Sequence, residues 1–303
     1  MEPTRRDATI VPRLQALATA FLFSTGGAVI KATSFTGWQV AGIRCGIAAL
    51  AVLILLPNSR RGWNHRTWLV GCAYAGALIC YAMANKLTTA ASTIFLFSSS
   101  PLYILFLGPF FLKEPLRRRD LFFVIAFASG LSLVFLDAQP ATLTAPEPLK
   151  GNILAALGGM FFAFIVMGLR WMGRTSEAGE TSATSVLAVG NLIGFALCLP
   201  FALQLGPTST LDWALVTYLG VFQIGLAYFL MIGALRRLPA LEVSLLILIE
   251  PVLNPIWTWW MHGERPGPMT LAGGAVIVLV TAGMTLASVW RDKKINQVDS
   301  SGQ

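Results

Sequence analysis

The sequence predicts an all-α integral membrane protein, with ten transmembrane helices arranged as two inverted five-helix repeats around a central cavity. Three observations predict it. The 303 residues are 55% hydrophobic and only 12% charged, about half the ~25% charged share of a soluble domain. The apolar residues gather in stretches of span length, separated by short polar connections. The chain also resembles itself at an offset of 150 residues, where Pro101 answers Pro251 and Glu114 answers Glu264.

The spans come first. A bilayer core of ~30 Å takes about 20 apolar residues of helix. Ten stretches qualify, near residues 14–32, 37–56, 67–86, 90–112, 120–137, 150–170, 183–203, 212–234, 240–261 and 268–290. The connections carry the breakers and charges: PNSRRGWNHR, KEPLRRRD, AQPATLTAPEP, GRTSEAGETS, LGPTST and HGERPGP. Helices satisfy every backbone polar group within their own segment, which lipid demands. A β-barrel calls for strands of about ten alternating residues, and these runs are longer and uniformly apolar.

Charge then orients the spans. With the N-terminus inside, the inner loops and tails hold Arg5, Arg6, Arg13, Arg60, Arg61, Arg66, Lys113, Arg117, Arg118, Arg119, Arg170, Arg174, Arg236, Arg237, Arg291, Lys293 and Lys294. The outer side holds Lys31, Lys86, Lys150 and Arg265, and Arg44 falls inside a span. Such a bias fixes topology, and it explains the net charge of +8 without nucleic acid as a partner. Both termini are expected in the cytoplasm, which requires an even number of spans. No cleavage site follows the first apolar run, so it reads as a span rather than a signal peptide. Cys45, Cys72, Cys80 and Cys198 all lie inside apolar spans and read as small buried hydrophobes, with no disulfide framework.

The offset of 150 also pairs Ala84 with Ala234, Lys86 with Arg236 and Leu121 with Leu271. It divides ten spans into five and five. Five is odd, so the second copy enters the membrane from the opposite side. The predicted organisation is a tail over 1–13, a first repeat over 14–137, a linker over 138–149, a second repeat over 150–290 and a tail over 291–303.

Inverted repeats place binding sites near the midplane, on broken helices at matching positions. Here those are the fourth and ninth spans, with Pro101 and Pro251 as hinges. Each proline removes one helical hydrogen bond, freeing the carbonyls of Phe97 and Ile247. Glu250 lies about mid-depth, where an acidic residue costs roughly 2.5–3.5 kcal/mol even on lenient scales. It faces either a substrate pathway or a hydrogen-bonding partner on another helix. Glu250, Asn254 and Trp257 share one helical face, and Ser100 with nearby Tyr103 are their matches in the first half.

Other mid-span polar and aromatic residues are weighed in the same way. Tyr74, Tyr81 and Asn85 share a face of the third span and either line a cavity or bond between helices. Gln223 in the eighth span has the same two readings. Ser24 and Thr25 are expected to bond their own backbone. Phe161 and Phe164 either line an aromatic pocket or simply pack. Trp259 and Trp260 fit the interfacial belt. Arg44 either snorkels outward or pairs with Glu250, while Lys31, Lys86 and Arg265 sit at span ends.

Enzyme chemistry is nearly absent from the sequence. His65 and His262 are the only histidines, and no metal-ligand spacing or phosphate-binding Gly-rich loop appears. No cofactor is expected.

The units YAMANKLTTAASTIFLFSSSPLYILFLGPFFLKEPL (81–116) and LMIGALRRLPALEVSLLILIEPVLNPIWTWWMHGERP (230–266) resemble the two repeats of the drug/metabolite transporter superfamily, EamA-type. The resemblance covers essentially the whole chain and, more narrowly, extends to that superfamily's aromatic amino-acid exporters. It implies a helical bundle with a pathway between the halves, metabolite export, and acidic residues Glu114 and Glu264 tying span ends. Lys113 stands where the family's glycine precedes the first of these. Phosphorylated substrates would call for several cations in the cavity, and only Arg44 is deep.

The reading that results is an inner-membrane exporter working by alternating access and functional as a monomer in the lipid bilayer. Its substrates are amino acids with aromatic or other large apolar side chains, such as methionine, with threonine as a smaller candidate. Glu250, Asn254 and Ser100 would hold the polar end, beside Pro101 and Pro251. Tyr81, Tyr103, Trp257 and Phe161 would hold the side chain, with Tyr74, Asn85 and Gln223 along the pathway. The alternative is a broad exporter of drugs or cationic metabolites, with Glu250 as the charge partner.

Overall fold

The computed structural model describes residues 7–111, 118–137, 142–173, 179–238 and 240–301. Among these residues the secondary structure is helical, save one isolated bridge between Thr142 and Ala145. The first half contains α1 (Asp7–Ser24), α2 (Gly26–Ala32), α3 (Gly37–Leu55), α4 (His65–Leu87), α5 (Ala90–Phe97), α6 (Ser100–Phe111) and α7 (Arg118–Leu136). The second contains α8 (Pro148–Gly173), α9 (Gly179–Ala202), α10 (Thr210–Tyr218), a π-helical turn (Leu219–Leu226), α11 (Ala227–Leu235), α12 (Ala240–Ile247), α13 (Glu250–His262) and α14 (Pro268–Ser301).

Local chemistry sets the ends. Thr36 and Gln39 form a reciprocal capping box at α3, and Ser209 with Asp212 does the same at α10. Asn64 caps α4 and Thr89 caps α5 through their side chains. Each box satisfies amides that the first helical turn leaves without partners. Gly263 stops α13 in the left-handed region at φ 64°, where a Cβ is disfavoured.

Seven helical segments are long and apolar enough to cross a membrane: Ile10–Ala32, Gly37–Leu55, His65–Leu87, Ala90–Phe111, Pro148–Met172, Ala183–Ala202 and Thr210–Leu235. The protein is thus a multi-pass membrane protein. Of the other three expected spans, Phe122–Leu136 and Pro268–Gly283 are shorter apolar helices, and 240–261 is divided between α12 and α13. Two expected tails begin or continue as helix. α1 starts at Asp7, and α14 runs on to Ser301 through Arg291, Lys293 and Lys294, residues of good helix propensity.

The fourth and ninth spans break where the sequence suggests. Turns at Ser98–Ser99 and Leu248–Ile249 precede Pro101 and Pro251 and are themselves 150 residues apart. A third break, at Thr25 between α1 and α2, carries no proline.

Packing relies on small residues, as bilayer helices do because apolar burial does not drive their association. α3 lies against α9, where a Cβ on Gly42 would strike Cys198 and one on Gly46 would strike Phe195. α7 lies against α14, with Gly130 and Gly273 each against the other's carbonyl. α4 packs on α8, α1 on α11, α5 and α6 on α8, and α2 on α13. The outward surface is apolar: Phe110, Phe122, Leu279 and Trp260 are all at least 70% exposed, as a lipid-facing surface requires. Trp259 is exposed beside Trp260.

Lys31 sits at a span end, in the last turn of α2, as expected, and is buried there. Its side chain is 3% exposed and forms an ion pair with Glu264, Nζ to Oε1 3.1 Å. Lys31 Nζ also donates to the carbonyls of Thr88 and Thr144, and Glu264 Oε2 accepts from the amide of Ala90 at 2.9 Å. Glu264 thereby joins the end of α2 to the start of α5. Its counterpart Glu114 lies outside the described residues.

Candidate functional site

A cavity of about 330 Å³ lies at the centre of the bundle. Its aromatic wall is Phe23, Tyr74, Tyr81, Phe97, Phe162 and Tyr228. Its polar groups are Arg44, Ser98, Ser100, Gln223, Glu250 and Thr281, and Pro101 and Pro251 line it beside both helix breaks. The volume falls in the roughly 300–1,000 Å³ range of small-molecule sites, which share this mostly apolar lining with a few placed polar groups.

Each wall traces to a sequence feature. α4 contributes Tyr74, Ala77, Leu78 and Tyr81 from one face. The break before Pro101 brings Ser98 and Ser100 to the lumen, and the break before Pro251 does the same for Glu250, the first residue of α13. Gln223 sits in the π-helical turn, a geometry frequent at functional sites.

Of the residues singled out in the sequence, Tyr74, Tyr81, Ser100, Pro101, Gln223, Glu250 and Pro251 line the cavity. Asn85, Tyr103, Phe161, Asn254 and Trp257 are not among its lining residues. Asn254 instead reaches the Tyr81 hydroxyl with Nδ2 at 3.3 Å, and Asn85 Nδ2 donates to the carbonyl of Tyr81 at 2.9 Å. Both therefore stand behind Tyr81 rather than in the lumen. Trp257 Nε1 donates to Ser24 Oγ at 2.9 Å, and its ring meets Phe21 edge-on at 5.5 Å, so α1 occupies its polar end. Phe161 is turned onto Gly76 of α4, where a Cβ would stand 3.0 Å from its ring, leaving Phe162 to face the cavity. Phe164 meets Phe111 edge-on at 6.1 Å.

Ser24 and Thr25 bond their own backbone, to the carbonyls of Phe21 and Leu22, each at 2.7 Å. Thr25 also meets Tyr218 Oη at 3.0 Å. Their break leaves Gly26 and Gly27 facing a polar cluster. A Cβ on Gly26 would meet Gln223 Nε2 at 2.9 Å, and one on Gly27 would meet Asn254 Oδ1 at 2.7 Å and Asn85 Oδ1 at 3.0 Å. Asn85 Oδ1, Asn254 Oδ1 and Gln223 Oε1 are buried without hydrogen-bond partners among the described residues.

Arg44 takes neither expected course. It is fully buried, so it does not snorkel, and no ion pair joins it to Glu250. Its Nη2 donates to the carbonyl of Leu78 at 3.0 Å, and its Nε has no partner among the described residues. Tyr228 and Phe162 also line the cavity without having been singled out; a stripe on the eighth span through Gln223 would have reached Tyr228 only across the π-helical turn. Among the described residues, no group of three or more His, Cys, Asp or Glu side chains could hold a metal ion.

Comparison with known proteins places this geometry. A model of the EamA-like transporter family matches residues 13–136 and 149–286. The pseudopaline exporter CntI of Pseudomonas aeruginosa is 24% identical over 273 residues, covering 88% of this chain and 93% of that one. A biotin transporter of Salmonella typhimurium is 25% identical over 290 residues, covering 91% and 89%. The uncharacterised transporter YxxF of Bacillus subtilis is 26% identical over 212 residues, and the match spans 65% of its length. A crystal structure superposes with a TM-score of 0.59 at 20% identity, over 94% of this chain and 98% of that one, a likeness of fold.

Proposed function

Because the chain belongs to the EamA-like transporter family, a family of transporters rather than enzymes, we propose that it is a secondary transporter of the cell inner membrane that exports amino acids by alternating access. Aromatic and other large apolar side chains, methionine among them, are the preferred substrates, with threonine as a smaller candidate. The observation that carries this reading is the central cavity. It combines an aromatic wall of Tyr74, Tyr81, Phe97, Phe162 and Tyr228 with a carboxyl group, Glu250, and a guanidinium, Arg44. A zwitterion with an apolar side chain complements such a lining.

The inverted five-plus-five arrangement draws support from three facts. The family match divides into two stretches, 13–136 and 149–286, close to the two expected repeats. The helix breaks at Ser98–Ser99 and Leu248–Ile249 keep the repeat offset. The packing also exchanges between halves: α4 with α8 answers α1 with α11, α5 and α6 with α8 answer α12 and α13 with α1, and α7 with α14 answers itself. In this arrangement the basic residues place both termini in the cytoplasm.

A second reading has its own observation. Glu250 lines the cavity with no ion-pair partner among the described residues, which would also suit a lipophilic cation and hence a broader drug or metabolite exporter. Counterflow in proteoliposomes separates the two. Vesicles are loaded with unlabelled phenylalanine, methionine or threonine, the labelled compound is added outside, and lipophilic cations compete. Accumulation driven by internal amino acid alone supports amino-acid export. Absence of accumulation with all three, together with binding of the cations, replaces it with the second reading.

A further inference from the structure

Arg44 is a buried charge with no carboxylate partner among the described residues. Its guanidinium carries five N–H donors and is permanently ionised. One of them, on Nη2, bonds the neutral carbonyl of Leu78 at 3.0 Å, and Nε has no partner among the described residues. No ion pair joins it to any carboxylate among the described residues. Buried charges are ordinarily paired, because desolvation otherwise goes uncompensated. The same side chain borders the cavity while fully buried in this conformation, so the lumen is the side from which a counter-ion could approach it. Among the described residues, three lining side chains carry an unpartnered polar atom: Arg44 Nε is a donor, Gln223 Oε1 is an acceptor, and the Tyr74 hydroxyl can be either.

We propose that Arg44 is the anion anchor of the cavity, receiving the carboxylate of the transported compound, so that the cargo is a carboxylate with an apolar body. The proposal rests on the reading of this cavity as the transport site. It assigns the substrate's two ends: the carboxylate lies on Arg44, and an amine, where present, lies toward Glu250 and Gln223. A guanidinium matches a carboxylate with two parallel N–H donors, a geometry that a lysine ammonium does not reproduce. Arg44 stands alone as a cation among the lining residues, which suits one carboxylate rather than a phosphate of higher charge.

Binding to the purified full-length protein in detergent, read by thermal shift, tests this with three probes, phenylalanine, 3-phenylpropionate and phenethylamine, and a neutral control, the amide of 3-phenylpropionate. The wild type should bind 3-phenylpropionate, and should bind its neutral amide about tenfold more weakly or worse, as loss of a charge-assisted hydrogen bond implies. Arg44→Gln should weaken phenylalanine and 3-phenylpropionate by a similar factor and leave phenethylamine unchanged. Glu250→Gln should do the reverse for the two single-headed probes. Equal binding of acid and amide by the wild type overturns the proposal without any variant. Equal weakening of all three probes in Arg44→Gln overturns it too, leaving Arg44 a staple between α3 and α4. Binding of 3-phenylpropionate with none of phenylalanine supports the anchor and removes the amino-acid reading.

Discussion

Lys31 at the end of α2 and Glu264 beyond α13 form an ion pair with both side chains 3% exposed, Nζ to Oε1 3.1 Å. The pair joins segments 233 residues apart in sequence, and the carboxylate also receives the first amide of α5. Removing one member strands the other. Glu264→Ala should therefore cost about 3–5 kcal/mol, read as a fall in the unfolding temperature of the detergent-solubilised protein. Lys31→Met together with Glu264→Leu should recover only part, because the Ala90 amide and the Thr88 carbonyl remain unpaired.

The opposite end of the same pair of segments behaves differently. Arg13 and Glu242 also form an ion pair, Nε to Oε1 2.6 Å, but their side chains are 52% and 33% exposed. Exposed pairs contribute about 0–1 kcal/mol. Arg13→Ala should leave thermal stability nearly unchanged, and a loss comparable to that of Glu264→Ala would contradict the contrast between the two ends.

Trp257 and Ser24 make a separable contact. Trp257→Phe removes the 2.9 Å hydrogen bond to Ser24 Oγ and should cost about 0.5–1.5 kcal/mol, because Ser24 keeps its own bond to the Phe21 carbonyl. Trp257→Ala also removes the ring from Phe21 and should cost more, toward the roughly 3–5 kcal/mol of a truncated aromatic. Equal stability of the two variants would show that the indole N–H, not the ring, carries the contact.

Two glycines give opposite expectations. A Cβ at Gly27 would meet Asn254 Oδ1 at 2.7 Å and both Ala90 Cβ and Asn85 Oδ1 at 3.0 Å. Gly27→Ala should cost about 1–3 kcal/mol through overpacking and slow transport by disturbing the groups behind Tyr81. A Cβ at Gly108, within α6, would meet no described residue within 4 Å, and Gly108→Ala should gain about 0.5–1 kcal/mol of helix preference. Thermal unfolding of both variants checks the pair.

The legible parts of this fold are those with a chemical signature. Pro101 and Pro251 announce the two helix breaks, because a ring nitrogen without a proton cannot continue the ladder. Glu250, Ser100 and Gln223 are conspicuous as polar groups in apolar runs, and all three line the cavity. What escapes the sequence is rotation and local winding. α8 is apolar throughout residues 153–169, so nothing in that stretch decides between Phe161 and Phe162. The π-helical turn over Leu219–Leu226 and the break at Thr25 involve no proline. Asn254 and Trp257 share the face of Glu250 as expected, yet that face crosses from the lumen onto Tyr81 and Ser24. The Lys31–Glu264 pair was half visible, since Glu264 stood out by its repeat position while Lys31 resembled an ordinary end-of-span cation.

The central claim, that this cavity is where a substrate binds during transport, is tested most directly by counterflow of labelled phenylalanine into proteoliposomes carrying wild type, Glu250→Gln or Gly108→Ala. The account predicts accumulation with wild type and Gly108→Ala, and a reduction of about tenfold or more with Glu250→Gln, the loss of a hydrogen bond to a charged group. Wild-type accumulation that Glu250→Gln leaves at its full rate would contradict it, and would move the site away from the Pro251 break.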